Sequence, residues 1–186
     1  RFEGIMTTSC TSRSKADLPS EAQPMFDEFA ASRNGRVTGP FGVLLNSPEV
    51  ARRIAHTGAY VRFESTLSTE ILELATIAAA REIDCQYEWS AHEGQARDAG
   101  VREEAIIAIR DKKAPEGLTQ DEAVIVNYVL ELLRTNRVSE PTFKSALDML
   151  DVQQVTDLTV AVGYYGMIGM ALNAFEVMPE TPLLPL

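Results

Sequence analysis

Apolar positions along this chain recur at helical spacing, and strict apolar–polar alternation never persists for more than a few residues. Spacings of i, i+3 and i+4 place side chains on one face of a helix, so the pattern predicts helices and no sheet. Residues 1–18 are polar, rich in Ser and Thr, and read as a flexible arm. Pro19 and Ser20 open a short helix to about Ala31, with Met25, Phe26 and Phe29 as its apolar contacts, and Asn34-Gly35 breaks it. Gly39-Pro40-Phe41-Gly42 is a turn into the apolar piece Val43-Leu44-Leu45. Ser47-Pro48 is an N-cap followed by proline at the first helical position, predicting a helix to about Phe63. Val50, Ile54 and Val61 mark its apolar face, and Gly58 on that face admits a close neighbour.

Ser68 caps the next helix, 68–82, whose buried side is Ile71, Leu74, Ala75, Ala78 and Ala79. Its partner, 85–99, ends at Gly100, where a left-handed C-cap is wanted. A helix over 102–111 and a basic loop at 112–117 follow. Thr119 and Glu122 form a capping box for a helix reaching about Thr135, with Val124, Ile125, Tyr128, Val129 and Leu132 inward. Ser139 caps a short helix to Leu150, and 152–175 is long and largely apolar. Pro179, Pro182 and Pro185 give an extended tail over 179–186. The reading is all-α: about eight helices in one domain, 19–178, around an antiparallel hairpin formed by 68–82 and 85–99.

Composition narrows the function. A net charge of −10 removes the phosphate attraction that nucleic-acid binding depends on, and makes an anionic membrane surface an equally poor partner. Two cysteines, Cys10 and Cys85, make no disulfide framework, so a cytoplasmic location is expected. No apolar run approaches the ~18 residues of a membrane span.

Candidate chemistry gathers around Cys85. At ~3.6 residues per turn, Cys85, Glu88 and His92 share one helical stripe. Asp84 is a plausible N-cap, which would put the thiol in the first turn and favour the thiolate. In the hairpin, Glu73 lies ten residues before the turn at Ile83 and His92 nine after it, so equal rise sets them level. Tyr87 and Trp89 would give Glu88 apolar surroundings and a raised pKa. Blander readings exist for each residue: a hydrogen-bonded core histidine, an acidic solvent face for Glu73 beside Glu70, an inert buried cysteine. One histidine with two carboxylates is a weak metal set, so no metal is expected.

Glu73, then Cys85-x-x-Glu88-Trp89-x-x-His92, then Ala99-Gly100-Val101, resembles the carboxymuconolactone decarboxylase family. The AhpD-like hydroperoxidase branch carries a glutamate and then Cys-x-x-Cys-x-x-x-His at this spacing. Glu73, Cys85 and His92 match it, whereas Glu88 stands where that branch has its peroxidatic cysteine. The resemblance is good over 48–110. It implies an AhpD-like multi-helix fold, a trimer or hexamer, and no cofactor. For the decarboxylase branch it implies loss of CO2 from a small carboxylated or lactone-type substrate, with His92 as acid/base and Glu73 or Glu88 orienting it. Arg62, Arg81 and Arg97 are candidates for holding the substrate carboxylate, and Trp89 for walling its pocket. Two rivals stand beside this: a thiol-dependent hydroperoxidase using Cys85, recycled by an external thiol or Cys10, and a non-catalytic helical oligomer.

Overall fold

The computed structural model describes residues 14–20, 22–31, 37–179 and 186. Most of the expected arm (1–13), Cys10, Asn34-Gly35, Pro182 and Pro185 lie outside the described residues. Among the described residues there are nine α-helices and no strand: α1 (Gln23–Ala31), α2 (Pro40–Leu44), α3 (Pro48–Ala59), α4 (Thr69–Glu82), α5 (Gln86–Asp98), α6 (Glu103–Arg110), α7 (Gln120–Thr135), α8 (Glu140–Met149) and α9 (Val152–Ala174).

The fold is built around α4. Ser68 starts it by accepting the Ile71 N–H at 3.3 Å. Every residue from Leu72 to Ala80 is then buried, Glu73 and Thr76 included. A helix covered on all sides must be approached from all sides, and α5, α7, α9 and α6 pack on it. Its alanines, at 75 and 78–80, leave room for that approach. Leu72, Leu74 and Ile77 fill the space between, each burial contributing about 1.5–3 kcal/mol. A capping box of Thr119 and Glu122 opens α7, and Arg102 anchors the Glu122 carboxylate at 3.0 and 2.5 Å. Asp151 and Gln154 form another at α9.

Of the helices described, α9 alone has the length and apolarity of a membrane span, yet 56% of its apolar window is buried in the fold. It is a core helix. Gly169 lets it close on the hairpin turn, since a Cβ there would lie 2.3 Å from Ile83 Cδ1 and 3.2 Å from Cys85 Cβ. Asp157 ties α9 to the segment before α4: its buried carboxylate accepts from the Thr66 N–H and hydroxyl, both at 2.8 Å, and from the Tyr60 hydroxyl at 3.0 Å. A second, smaller core joins Leu18, Ala22, Phe29, Phe41, Leu45 and Ala51, so Leu18, at the end of the expected arm, is packed.

Three local expectations are corrected. The helix from Pro48 stops at Ala59, and 60–64 form a π-turn closed by the Ser65 N–H on the Tyr60 carbonyl at 2.9 Å. Its buried face is Ala51, Gly58 and Val61, leaving Val50 44% exposed, because packing against the second core turns the helix past Val50. Asp84 does not cap α5. It takes the left-handed conformation (φ 51°) that reverses the chain, and Cys85 becomes the N-cap.

Candidate active site

The hairpin brings Glu73 and His92 face to face. Glu73 sits one turn into α4 and His92 two turns into α5, and His92 Nδ1 lies 2.8 Å from Glu73 Oε2. Glu88, one turn before His92, approaches the other ring nitrogen: Oε2 to Nε2 is 3.5 Å. All three side chains are buried. The imidazole therefore stands between two carboxyl groups. A neutral ring that donates Nδ1–H to Glu73 presents a bare Nε2 to Glu88. The 3.5 Å gap is longer than a good hydrogen bond and leaves the proton between Nε2 and Glu88 available to a third group.

Burial pushes the Glu88 carboxyl above its ordinary value, with the Glu73 charge pushing the same way and His92 and Arg62 opposing. A carboxyl so placed holds its proton to higher pH than an exposed glutamate does. Cys85, fully buried one turn before Glu88, differs from the sequence expectation. Burial drives its thiol up and the Glu88 charge adds to this, while the Glu88 and Tyr87 N–H groups at the helix start pull it down without prevailing. The helix terminus is present, but desolvation of the thiolate outweighs it.

Sequence reasoning missed Tyr165. This α9 residue stands edge-on to His92, ring centroids 5.1 Å apart, and its buried hydroxyl has no hydrogen-bond partner among the described residues. The Thr76 hydroxyl, which donates to Leu72 O at 2.7 Å, acts on the phenol but lies outside hydrogen-bond geometry with it. Burial and the charge of Glu73 drive the phenol far above its usual range, so it remains a donor. The only signal in the sequence was a Tyr164-Tyr165 pair in a helix otherwise built of aliphatic, small and polar residues.

The substrate-holding candidates separate. Arg62 lies on the π-turn, makes no ion pair or hydrogen bond among the described residues, and acts electrostatically on Glu88 and Tyr165. Arg81 does not reach the cluster. It donates to Arg110 O at 2.6 Å and pairs with Asp84. Arg97 is likewise held away, by Glu93 at 2.7 Å and Glu103 at 2.6 Å. Trp89 is 2% exposed and belongs to the core. Among the described residues, no group of three His, Cys, Asp or Glu side chains is arranged to hold a metal ion: the two carboxyls take opposite ring nitrogens of His92 instead of converging on one point.

A model of the carboxymuconolactone decarboxylase family matches residues 48–130, which enclose the whole hairpin. Over this segment the chain is similar to that family. Solved structures share the fold seen here. A peroxidase-related protein from Silicibacter sp. TM1040 superposes with a TM-score of 0.71 at 18% identity, covering 95% of this chain and 96% of that one. A protein from Ralstonia eutropha JMP134, described as an alkylhydroperoxidase AhpD core, gives 0.70 at 14% identity, covering 92% and 96%. The debrominase Bmp8, as a cysteine-to-alanine variant with 2,3,4-tribromopyrrole, gives 0.70 at 12% identity, covering 92% and 91%. These likenesses are of an AhpD-like all-α fold. No curated protein matches the sequence.

Proposed function

We propose that this chain is a cofactor-independent acid/base enzyme of the carboxymuconolactone decarboxylase type, acting on a small carboxylated or lactone-type substrate. The observation that carries the reading is the buried Glu73–His92–Glu88 array, with 2.8 Å and 3.5 Å on the two sides of one imidazole. Loss of CO2 leaves an electron pair on carbon, and that carbon must then be protonated. The proton between Glu88 and Nε2 supplies it, Glu73 holds the ring, and the buried surroundings disfavour the carboxylate that departs. Tyr165 O–H is a donor available to the oxygen that gathers charge in the enolate.

A thiol-dependent hydroperoxidase is the second reading, favoured by the position of Cys85 at the α5 N-cap. Against it stand the raised thiol pKa and a carboxyl where a second cysteine would act. Assembly as a homo-oligomer accompanies either reading. The face of α9 that its own fold leaves uncovered is apolar at Val160, Met167 and Met170.

Turnover of a panel of carboxylated lactones, followed by CO2 release, and of peroxide with a dithiol separates the readings. In the acid/base case His92→Gln lowers decarboxylation about 10²–10⁴-fold while Cys85→Ser retains most of it. Thiol-dependent peroxide turnover abolished by Cys85→Ser, with no decarboxylation in the wild type, would sink the first reading.

A further inference from the structure

We propose that the cleft between α1, α3 and α9 binds a small planar aromatic carboxylate, with Arg62 holding the carboxylate and aromatic side chains holding the ring. The cleft encloses about 550 Å³, within the usual size of small-molecule sites. Glu73, Glu88 and His92 do not line it. Its lining is distinct from that array.

Charge selects an anion. Arg52 and Arg62 face the cleft against a single acid, Glu28, in a chain whose net charge is −10. Arg52 is already committed to Glu49, at 2.8 and 3.0 Å. Arg62 is not: no carboxylate or carbonyl among the described residues accepts from it, and its guanidinium lies 5.0 Å from the Phe63 ring centre. A guanidinium with all its donors unspent, at the edge of a chamber, matches the two oxygens of a carboxylate.

The walls select a flat ring. Phe29 and Phe41, 5.2 Å apart, and Tyr164 line the cleft. Gly58 seats Tyr164 directly against α3, since a Cβ there would fall 2.2 Å from the Tyr164 hydroxyl oxygen. Phe63, 76% exposed, leaves a large ring uncovered at the rim, where an aromatic guest would stack on it. Tyr164 of the cleft wall also stands edge-on to Tyr165, beside the buried array, at 5.3 Å. Binding here does not depend on the acid/base reading, because the guest is held whether or not His92 moves a proton.

The test uses benzoate as the anionic probe and benzamide as its neutral isostere, titrated into the intact protein by calorimetry and ligand-observed NMR. Benzoate is expected to saturate one site per chain with a Kd below about 1 mM. Arg62→Gln should weaken it about 10–100-fold, the effect of losing a hydrogen-bonded charge. Benzamide should be weaker by a similar factor, and Phe63→Ala, at an exposed position that leaves folding intact, should cost several-fold. His92→Gln should bind benzoate as the wild type does. Turnover that survives His92→Gln would thus overturn the acid/base reading and leave the cleft standing. The inference is overturned if benzoate fails to saturate by about 10 mM, if Arg62→Gln binds it equally well, or if benzamide competes on equal terms. It is also overturned if a second copy of the chain covers the cleft, seen as protection of Phe63 from footprinting in a wild-type oligomer that takes up no benzoate.

Discussion

Tyr165→Phe isolates the one buried hydroxyl that is left without a partner among the described residues. In the wild type the side chain is 3% exposed, its ring edge-on to His92, and no described donor or acceptor satisfies the oxygen. Burying a hydroxyl without a hydrogen bond costs about 1–3 kcal/mol in proteins. Phenylalanine keeps the ring, and with it the contacts to His92 at 5.1 Å and Tyr164 at 5.3 Å. What it loses is the dispersion of one oxygen atom, a few tenths of a kcal/mol. The variant should therefore be more stable than the wild type by about 0.5–2 kcal/mol, and for a chain of this size each kcal/mol is worth about 2–4 °C in Tm. Urea unfolding followed by the fluorescence of Trp89, the single tryptophan and fully packed, measures the change. Under the proposed function the same variant should turn over more slowly. A group retained for structure gives the opposite sign: destabilisation by more than about 0.5 kcal/mol would mean that the hydroxyl is satisfied in the folded protein, and the reasoning about an available donor would fall.

Two further tests address the frame and the assembly. Burial alone would raise the Asp157 carboxyl, but the Thr66 N–H, the Thr66 hydroxyl and the Tyr60 hydroxyl outweigh it and hold the group below its ordinary value. Its contribution to stability is thus complete above the unfolded value of about 3.9 and is lost as pH falls through the lower folded value. Asp157→Asn should cost about 1–3 kcal/mol in urea unfolding at pH 7, with the gap to wild type closing below about pH 3.9; a gap that persists unchanged in acid would refute this. On α9, Thr156, Val160, Gly163, Met167 and Met170 are exposed at alternating spacings of four and three, an uncharged seam along one side. Light scattering should give a multiple of 20.4 kDa for the wild type and a smaller assembly for Met167→Glu/Met170→Glu, and a wild-type mass of 20.4 kDa would exclude the oligomer.

The sequence by itself determined what is local. Caps at Ser68, Thr119 and Ser139, the proline after Ser47 and the uniform helical spacing placed most of the helices, because these signals act within a turn or two of the residues that carry them. It also placed Glu73 level with His92, since a hairpin of two regular helices has only one free quantity, the position of the turn. Arg81 and Arg97 lie near the candidate residues along the chain, but Asp84 and the Arg110 carbonyl claim the first and Glu93 and Glu103 the second, two of these partners coming from α6. Only the packed structure decided this. Cys85 likewise depended on how α9 settles over the turn at Gly169, which buries the thiol and reverses the effect expected of a helix start. Tyr165 comes from a helix some 70 residues away and enters the site only when α9 packs against α4. Helical spacing states which residues share a face; which neighbour covers that face, and what dielectric it leaves behind, is a property of the assembled core.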